Sequence, residues 1–146
     1  MQRILTVCLG NICRSPTAEA LLRRECPEVT VISAGLTAMV GMPADPTTQS
    51  VAKQYGLDLS SHRAQQVTAT LCHNSDLILV MEEMHKSELE RLYPAVKGRV
   101  FLLGHFNKTE VVDPYCQPLA QYEDSYRVIA QGVGDWVSRI QKIRQG

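Results

Sequence analysis

The sequence predicts a single-domain α/β fold on a four-stranded parallel sheet, and three observations carry that expectation. Four short apolar runs recur along the chain, a helical stretch follows each of them, and helix start and stop residues mark the junctions. The alternation β-α-β-α-β-α-β-α implies parallel strands joined by right-handed crossovers. At 146 residues, the chain is the size of one domain spanning 1–146, long enough to bury a core without disulfides or metal.

The first run, RILTVC (3–8), is β-branched and apolar on both faces, as a central strand with helices on both sides requires. Ser15 is expected at the N-cap of the next helix with Pro16 in the first helical position. Ala18, Leu21, Leu22 and Cys26 then recur at helical spacing until Pro27. VTVISAG (29–35) reads as the second strand. Asp45-Pro46 repeats the cap-then-proline signal before a helix carrying Val51 and Tyr55, with Gly56 as its stop. DLILVM (76–81) is the third strand, a helix runs from Glu82 to Leu92 before Pro94, and RVFLLG (99–104) is the fourth strand. From Tyr122, residues Tyr126, Ile129, Val133, Trp136 and Ile140 form one apolar stripe able to cover a sheet face. Segments 35–45 and 105–121 fit neither pattern. Both leave strands at the carboxyl edge of the sheet, where open α/β folds bind ligands.

Composition narrows the chemistry. Fifteen Lys plus Arg balance fifteen Asp plus Glu, so no global field favours nucleic acid or an anionic membrane, and attraction for a charged ligand must be built locally. No apolar stretch approaches membrane-spanning length and the first strand starts almost at once, which predicts a cytoplasmic protein without membrane insertion. The five cysteines (Cys8, Cys13, Cys26, Cys72, Cys116) are odd in number and irregularly spaced, against both a disulfide scaffold and a zinc ribbon. Reduced thiols, no metal and no cofactor are expected. His73, His85 and His105 are read as surface or core residues.

The stretch VCLGNICRSP (7–16) carries the sharpest signal. Cys8 lies where strand gives way to loop, and the backbone N–H groups from Leu9 through Gly10, Asn11, Ile12 and Cys13 to Arg14 and Ser15 can converge on one point. Gly10 permits close approach, Asn11 tolerates the left-handed region, and the following helix adds its positive end. An anion is expected there, with Arg14 presenting a planar fork to two phosphate oxygens. A thiolate at Cys8 beneath that phosphate is an in-line nucleophile. The Cys-x5-Arg spacing alone is weak; the preceding apolar strand, the internal Gly-Asn and the Ser-Pro after the arginine sharpen it.

Cleaving a phosphate ester requires a proton for the departing oxygen and then a base for water, and one carboxyl group serves both steps. Asp113, in EVVDPYCQP (110–118), fits because Pro114 stiffens its loop. The competing reading is an aspartate that caps a turn before proline.

VCLGNICRSP together with DPY (113–115) resembles the low-molecular-weight protein tyrosine phosphatases, over essentially the whole chain. SAG (33–35), ADPTTQSVA (44–52), SHRAQQV (61–67) and DLILVME (76–82) resemble most the bacterial members that work beside exopolysaccharide tyrosine kinases. The resemblance implies a sheet in the order 2-1-3-4. It implies Cys8 as nucleophile, Arg14 as phosphate clamp, Ser15 as a hydroxyl supporting the thiolate and Asp113 as general acid. It further implies that Asn11 shapes the loop with His62 behind it, that Met39 and Tyr115 wall the pocket, and that Cys13 forms a disulfide with the nucleophile under oxidation. The implied activity is hydrolysis of phosphotyrosine through a phosphocysteine by a monomer, on a protein substrate such as a tyrosine kinase with a tyrosine-rich tail. An arsenate reductase on the same fold needs cysteines close together, whereas Cys72 and Cys116 are isolated in sequence. A phosphate-binding module without catalysis is the other alternative. Two departures stand out: Gln65 where relatives have arginine, with Arg63 displaced toward His62, and Cys116 where many have a second aromatic. Relatives that act on phosphoarginine tend to carry threonine where this chain has Ile12.

Overall fold

A computed structural model describes residues 1–145. Runs that are apolar on both faces become strands buried on both faces: all of β3 (Leu77–Val80) is inaccessible, as is β1 (Arg3–Cys8) from Ile4 onward. With β2 (Thr30–Gly35) and β4 (Val100–Leu102) they form one parallel sheet in the order β2-β1-β3-β4, with Cys8 paired to Gly35 at the end of β1.

The helices are α1 (Arg14–Glu25), α2 (Pro46–Gln54), α3 (Ala69–His73), α4 (Glu83–Leu92) and α5 (Leu119–Gln145). Period-two alternation in the strands sorts the core into two layers. Ile4, Leu77 and Leu79 pack with Leu21, Leu22, Ile129, Val133 and Trp136 of α1 and α5. Leu5, Val7, Ile78 and Val80 pack on the other face with Cys72 of α3 and Leu89 of α4. Burying each such aliphatic side chain contributes about 1.5–3 kcal/mol. Gly132 lets α5 approach the end of β4 closely, because a Cβ there would lie 2.8 Å from the Leu103 carbonyl oxygen. Trp136 Nε1 donates to the Leu102 carbonyl at 3.1 Å beside it.

Several expected boundaries move. The start of α1 is Arg14, with Cys13 at the N-cap and no side-chain capping bond, so Ser15 lies inside the helix and does not cap it. The physical reason is that the Ser15 hydroxyl is engaged elsewhere, on Cys8 and Asn11. Cys26 is buried just beyond α1, not within it. Asp45 does cap α2, accepting from Thr48 N–H at 3.1 Å, and Gly56 after it takes φ 81. Tyr55 ends α2 half exposed, its ring stacked on Tyr126 with centroids 4.1 Å apart. Helix α5 begins at Leu119, before the stripe's first member Tyr122, because periodicity marks only the buried face and the first turn is exposed. Helix α3 went unread: five residues are too few to show a period, although Thr68 caps it by accepting from Leu71 N–H at 3.1 Å.

Candidate active site

The loop after β1 is held from outside by its carbonyls. Cys8 O accepts from Leu36 N–H at 3.0 Å, Leu9 O from Thr37 at 2.9 Å, Gly10 O from Met39 at 3.0 Å and Ile12 O from Asp45 at 2.9 Å. Asn11 O is 2.6 Å from His62 Nε2, which must be the donor, and Cys13 O accepts from Thr17 Oγ1 at 2.9 Å. No peptide here is cis, so each carbonyl points opposite to the next N–H. Six outward carbonyls therefore turn the N–H groups of Leu9 through Arg14 inward, and the next one, Ser15 N–H, lies 3.4 Å from Cys8 Sγ. The turn passes through Asn11 at φ 60, in the left-handed region that asparagine tolerates. Gly35 lets the loop sit this low: a Cβ there would approach Leu9 O to 2.6 Å.

Beneath the loop, hydrogen bonds run from the thiol to the rear of the protein. Asn11 Nδ2 donates to Ser15 Oγ at 2.8 Å and to Ser33 Oγ at 3.0 Å, and Asn11 Oδ1 accepts from Gln65 N–H at 2.9 Å. Because Ser15 Oγ accepts from Asn11, its own proton is free for Cys8 Sγ, 2.9 Å away. Ser33 in turn donates to Glu19 at 2.7 Å, and Glu19 pairs with Arg23 at 2.7 Å. Gln65 does not reproduce an arginine ion pair; its side chain donates to Ser33 O at 3.0 Å, while Arg63 donates to His62 O at 2.7 Å.

Above the thiol, Arg14 is 2% exposed. Its Nη1 donates to Glu82 at 2.6 Å and to Val111 O at 2.8 Å, and its Nη2 lies 3.5 Å from Asp113 Oδ2. Asp113 Oδ1 accepts from Tyr115 N–H at 3.1 Å and caps the turn, while Oδ2 faces the arginine at the pocket. His85 is buried behind Glu82, with Nε2 3.5 Å from the carboxylate and Nδ1 without a partner. Burial, and then the Arg14 charge, hold its pKa below the ordinary 6.5. Cys8 and Arg14 line a pocket of about 180 Å³ whose walls include Ile12, Met39, Asp113 and Tyr115. Cys13 also lines it but is buried, and burial pushes its thiol up to about 12. Cys116 is exposed at φ 61 next to Tyr115, its N–H 3.3 Å from Tyr122 Oη.

Sequence reasoning missed Glu82, Ser33, Glu19 and the Val111 carbonyl. A signal for Glu82 existed: it directly follows the apolar run DLILVM (76–81), at the same sheet edge where Cys8 ends β1.

A parallel α/β sheet that turns loop amides toward a buried thiol, with an arginine and a carboxylate over it, is an arrangement suited to a phosphate group held above a nucleophile. Residues 3–146 match the family described as low molecular weight phosphotyrosine protein phosphatase. The chain is 46% identical over 138 residues to Wzb, a low molecular weight protein-tyrosine-phosphatase of Escherichia coli, covering 94% of each. The crystal structure of the Erwinia amylovora tyrosine phosphatase AmsI is 47% identical, covers 94% of this chain and 92% of its own, and superposes with TM-score 0.92. The YwlE arginine phosphatase of Geobacillus stearothermophilus is 30% identical, with 99% and 96% covered and TM-score 0.93. The chain belongs to the low molecular weight phosphotyrosine protein phosphatase family.

Proposed function

We propose that the chain hydrolyses phosphotyrosine in proteins through a phosphocysteine intermediate. The observation that carries this reading is the Cys8 thiol, 2.9 Å from a Ser15 hydroxyl whose proton is free to donate to it, under a ring of inward N–H groups. With Arg14 Nη1 occupied by Glu82 and Val111, its Nε and Nη2 remain to hold two phosphate oxygens. Cys8 Sγ attacks phosphorus, the S–P bond forms as the P–O bond to the phenol breaks, and Asp113 gives the departing oxygen its proton. Asp113, now ionised, takes a proton from water as that water attacks phosphorus, the S–P bond breaks, and phosphate leaves with the thiolate restored. The loop amides and Arg14 stabilise charge on the oxygens in both transition states.

Ile12, 7% exposed and on the pocket wall, favours a phenyl ring over a guanidinium because it offers no hydrogen bond. Phosphoserine is too short to reach the floor while filling walls made by Met39 and Tyr115. The arsenate-reductase alternative lacks support, since Cys72 is buried in the core layer on the opposite sheet face from Cys8. Resemblance to bacterial members that work beside exopolysaccharide tyrosine kinases supports a kinase with a tyrosine-rich tail as protein substrate, met by a cytoplasmic monomer. No described helix is long and apolar enough to cross a membrane.

The deciding experiment is Cys8→Ser. It abolishes turnover of a phenyl phosphate ester while phosphate or vanadate still binds, because the amide ring and Arg14 remain. Residual activity within about tenfold of wild type overturns the covalent mechanism.

A further inference from the structure

A cleft of about 490 Å³ shares no lining residue with the catalytic pocket. Pro16, Glu19, Ala20 and Arg23, at three- and four-residue spacing along one face of α1, make one wall. Segment 56–65 supplies the other, and Ser33 of β2 also lines it. Four of the lining residues brace the phosphate loop from behind. Ser33 Oγ accepts from Asn11 at 3.0 Å and donates to Glu19 at 2.7 Å, while His62 Nε2 donates to Asn11 O at 2.6 Å and Gln65 N–H to Asn11 Oδ1 at 2.9 Å.

Charge defines the ligand. Arg23, Arg24 and Arg63 line the cleft against two carboxylates, Glu19 and Asp58. Both carboxylates are already satisfied: Glu19 by Ser33 and by Arg23, each at 2.7 Å, and Asp58 by Ser60 N–H at 2.9 Å. Arg24 Nη1 donates to Tyr55 O at 3.0 Å, and its Nε lies 3.5 Å from Glu25, which is outside the cleft. Arg63 Nη1 donates to His62 O at 2.7 Å and to Ser60 O at 3.4 Å, and Arg63 pairs with no carboxylate among the described residues. A guanidinium carries five N–H groups, so both arginines keep donors beyond these partners. A phosphate group answers them with three strong acceptor oxygens and the opposite charge. Ser61 and Gln65 suit hydroxyl groups, and the cleft is large enough for a small molecule rather than a bare ion.

We infer that this cleft is a second anion site, which takes the phosphate group of a small hydroxyl-bearing molecule, a sugar phosphate in chemical class, with Arg24 and Arg63 as its phosphate ligands. The inference goes beyond the hydrolysis proposed above and requires none of its steps. A ligand held there lies against Glu19, Ser33, His62 and Gln65, the side of the network away from the Cys8 thiol.

The test is calorimetric titration with glucose 1-phosphate of the enzyme whose catalytic pocket is first saturated with benzylphosphonate, a phenyl phosphonate that cannot be hydrolysed. One further equivalent of glucose 1-phosphate binds, and glucose does not. Arg24→Gln combined with Arg63→Gln weakens this binding by about tenfold or more, while benzylphosphonate binds as in wild type and so reports an intact fold and phosphate loop. Arg63→Gln alone, which keeps the Arg24 bond to Tyr55 O, weakens it in the same direction. Absence of the further equivalent overturns the inference, as does binding that the arginine substitutions leave unchanged or that glucose matches. If benzylphosphonate itself fails to bind, the catalytic-pocket reading falls, and the dependence of glucose 1-phosphate binding on Arg24 and Arg63 in the unsaturated enzyme still decides the cleft.

Discussion

Arg14 and Glu82 meet at 2.6 Å, joining the first turn of the helix after β1 to the residue directly before α4. The guanidinium is 2% exposed and the carboxylate 26%, so the pair is largely withdrawn from water. A second bond, from Nη1 to Val111 O, completes the anchor and aims the rest of the fork at the pocket. The carboxylate opposes anion binding by its charge and aids it by orienting the arginine; the two effects separate on mutation.

Glu82→Gln keeps an acceptor for Arg14 but removes the charge. Turnover falls by about tenfold because the fork is less firmly placed in the transition state, while inorganic phosphate inhibits no more weakly than before because a negative charge has left. Steady-state kinetics with phosphate as competitor checks both halves. Unchanged kcat in the variant shows that Glu82 orients nothing.

Asp113→Asn lowers turnover of phenolic esters by about 10²–10⁴, the range of a general acid, and by less when the leaving group is already acidic. The turn survives, because asparagine Oδ1 still accepts from Tyr115 N–H as Asp113 does at 3.1 Å. Rates across a leaving-group series give the answer: equal losses for good and poor leaving groups remove Asp113 from the role.

Cys13 stays protonated at neutral pH, since burial pushes its thiol up to about 12, so peroxide reaches Cys8 first. Cys8 is oxidised to a sulfenic acid as peroxide is reduced; the Cys13 thiol then displaces water and forms the disulfide. Wild type recovers with dithiothreitol, and Cys13→Ser recovers far less. Full recovery of the variant shows that Cys13 protects nothing.

His85 gives a pH dependence to stability. Its native pKa lies below the unfolded value of 6.5 because burial and Arg14 outweigh Glu82, Asp113 and Glu110. Above about pH 7 both states leave it neutral and no penalty exists. As pH falls below 6.5 the unfolded chain binds a proton that the native state does not, and stability is lost until the native pKa is passed. His85→Gln removes this contribution, so its urea midpoint drops less between pH 7.5 and pH 5.5 than that of wild type. Parallel drops show that His85 titrates alike in both states.

Local signals determined the succession of strands and helices along the chain, the α/β class and the loop between Cys8 and Arg14, because a buried strand, a helix cap and an anion-binding loop are each written within about ten neighbouring residues. Asp113 was legible only through its proline and its chemistry. What tertiary structure decided is what meets across the sheet edge: Glu82 on Arg14, and Ser33 and Gln65 on Asn11. These partners come from separate strands and loops with no shared period or spacing, so no sequence window contains them. The role of Ser15 shows the same limit. Its residue type favours an N-cap locally, yet the folded chain brings Cys8 and Asn11 within 2.9 and 2.8 Å, and hydrogen bonds to those buried groups outweigh a cap that solvent can replace.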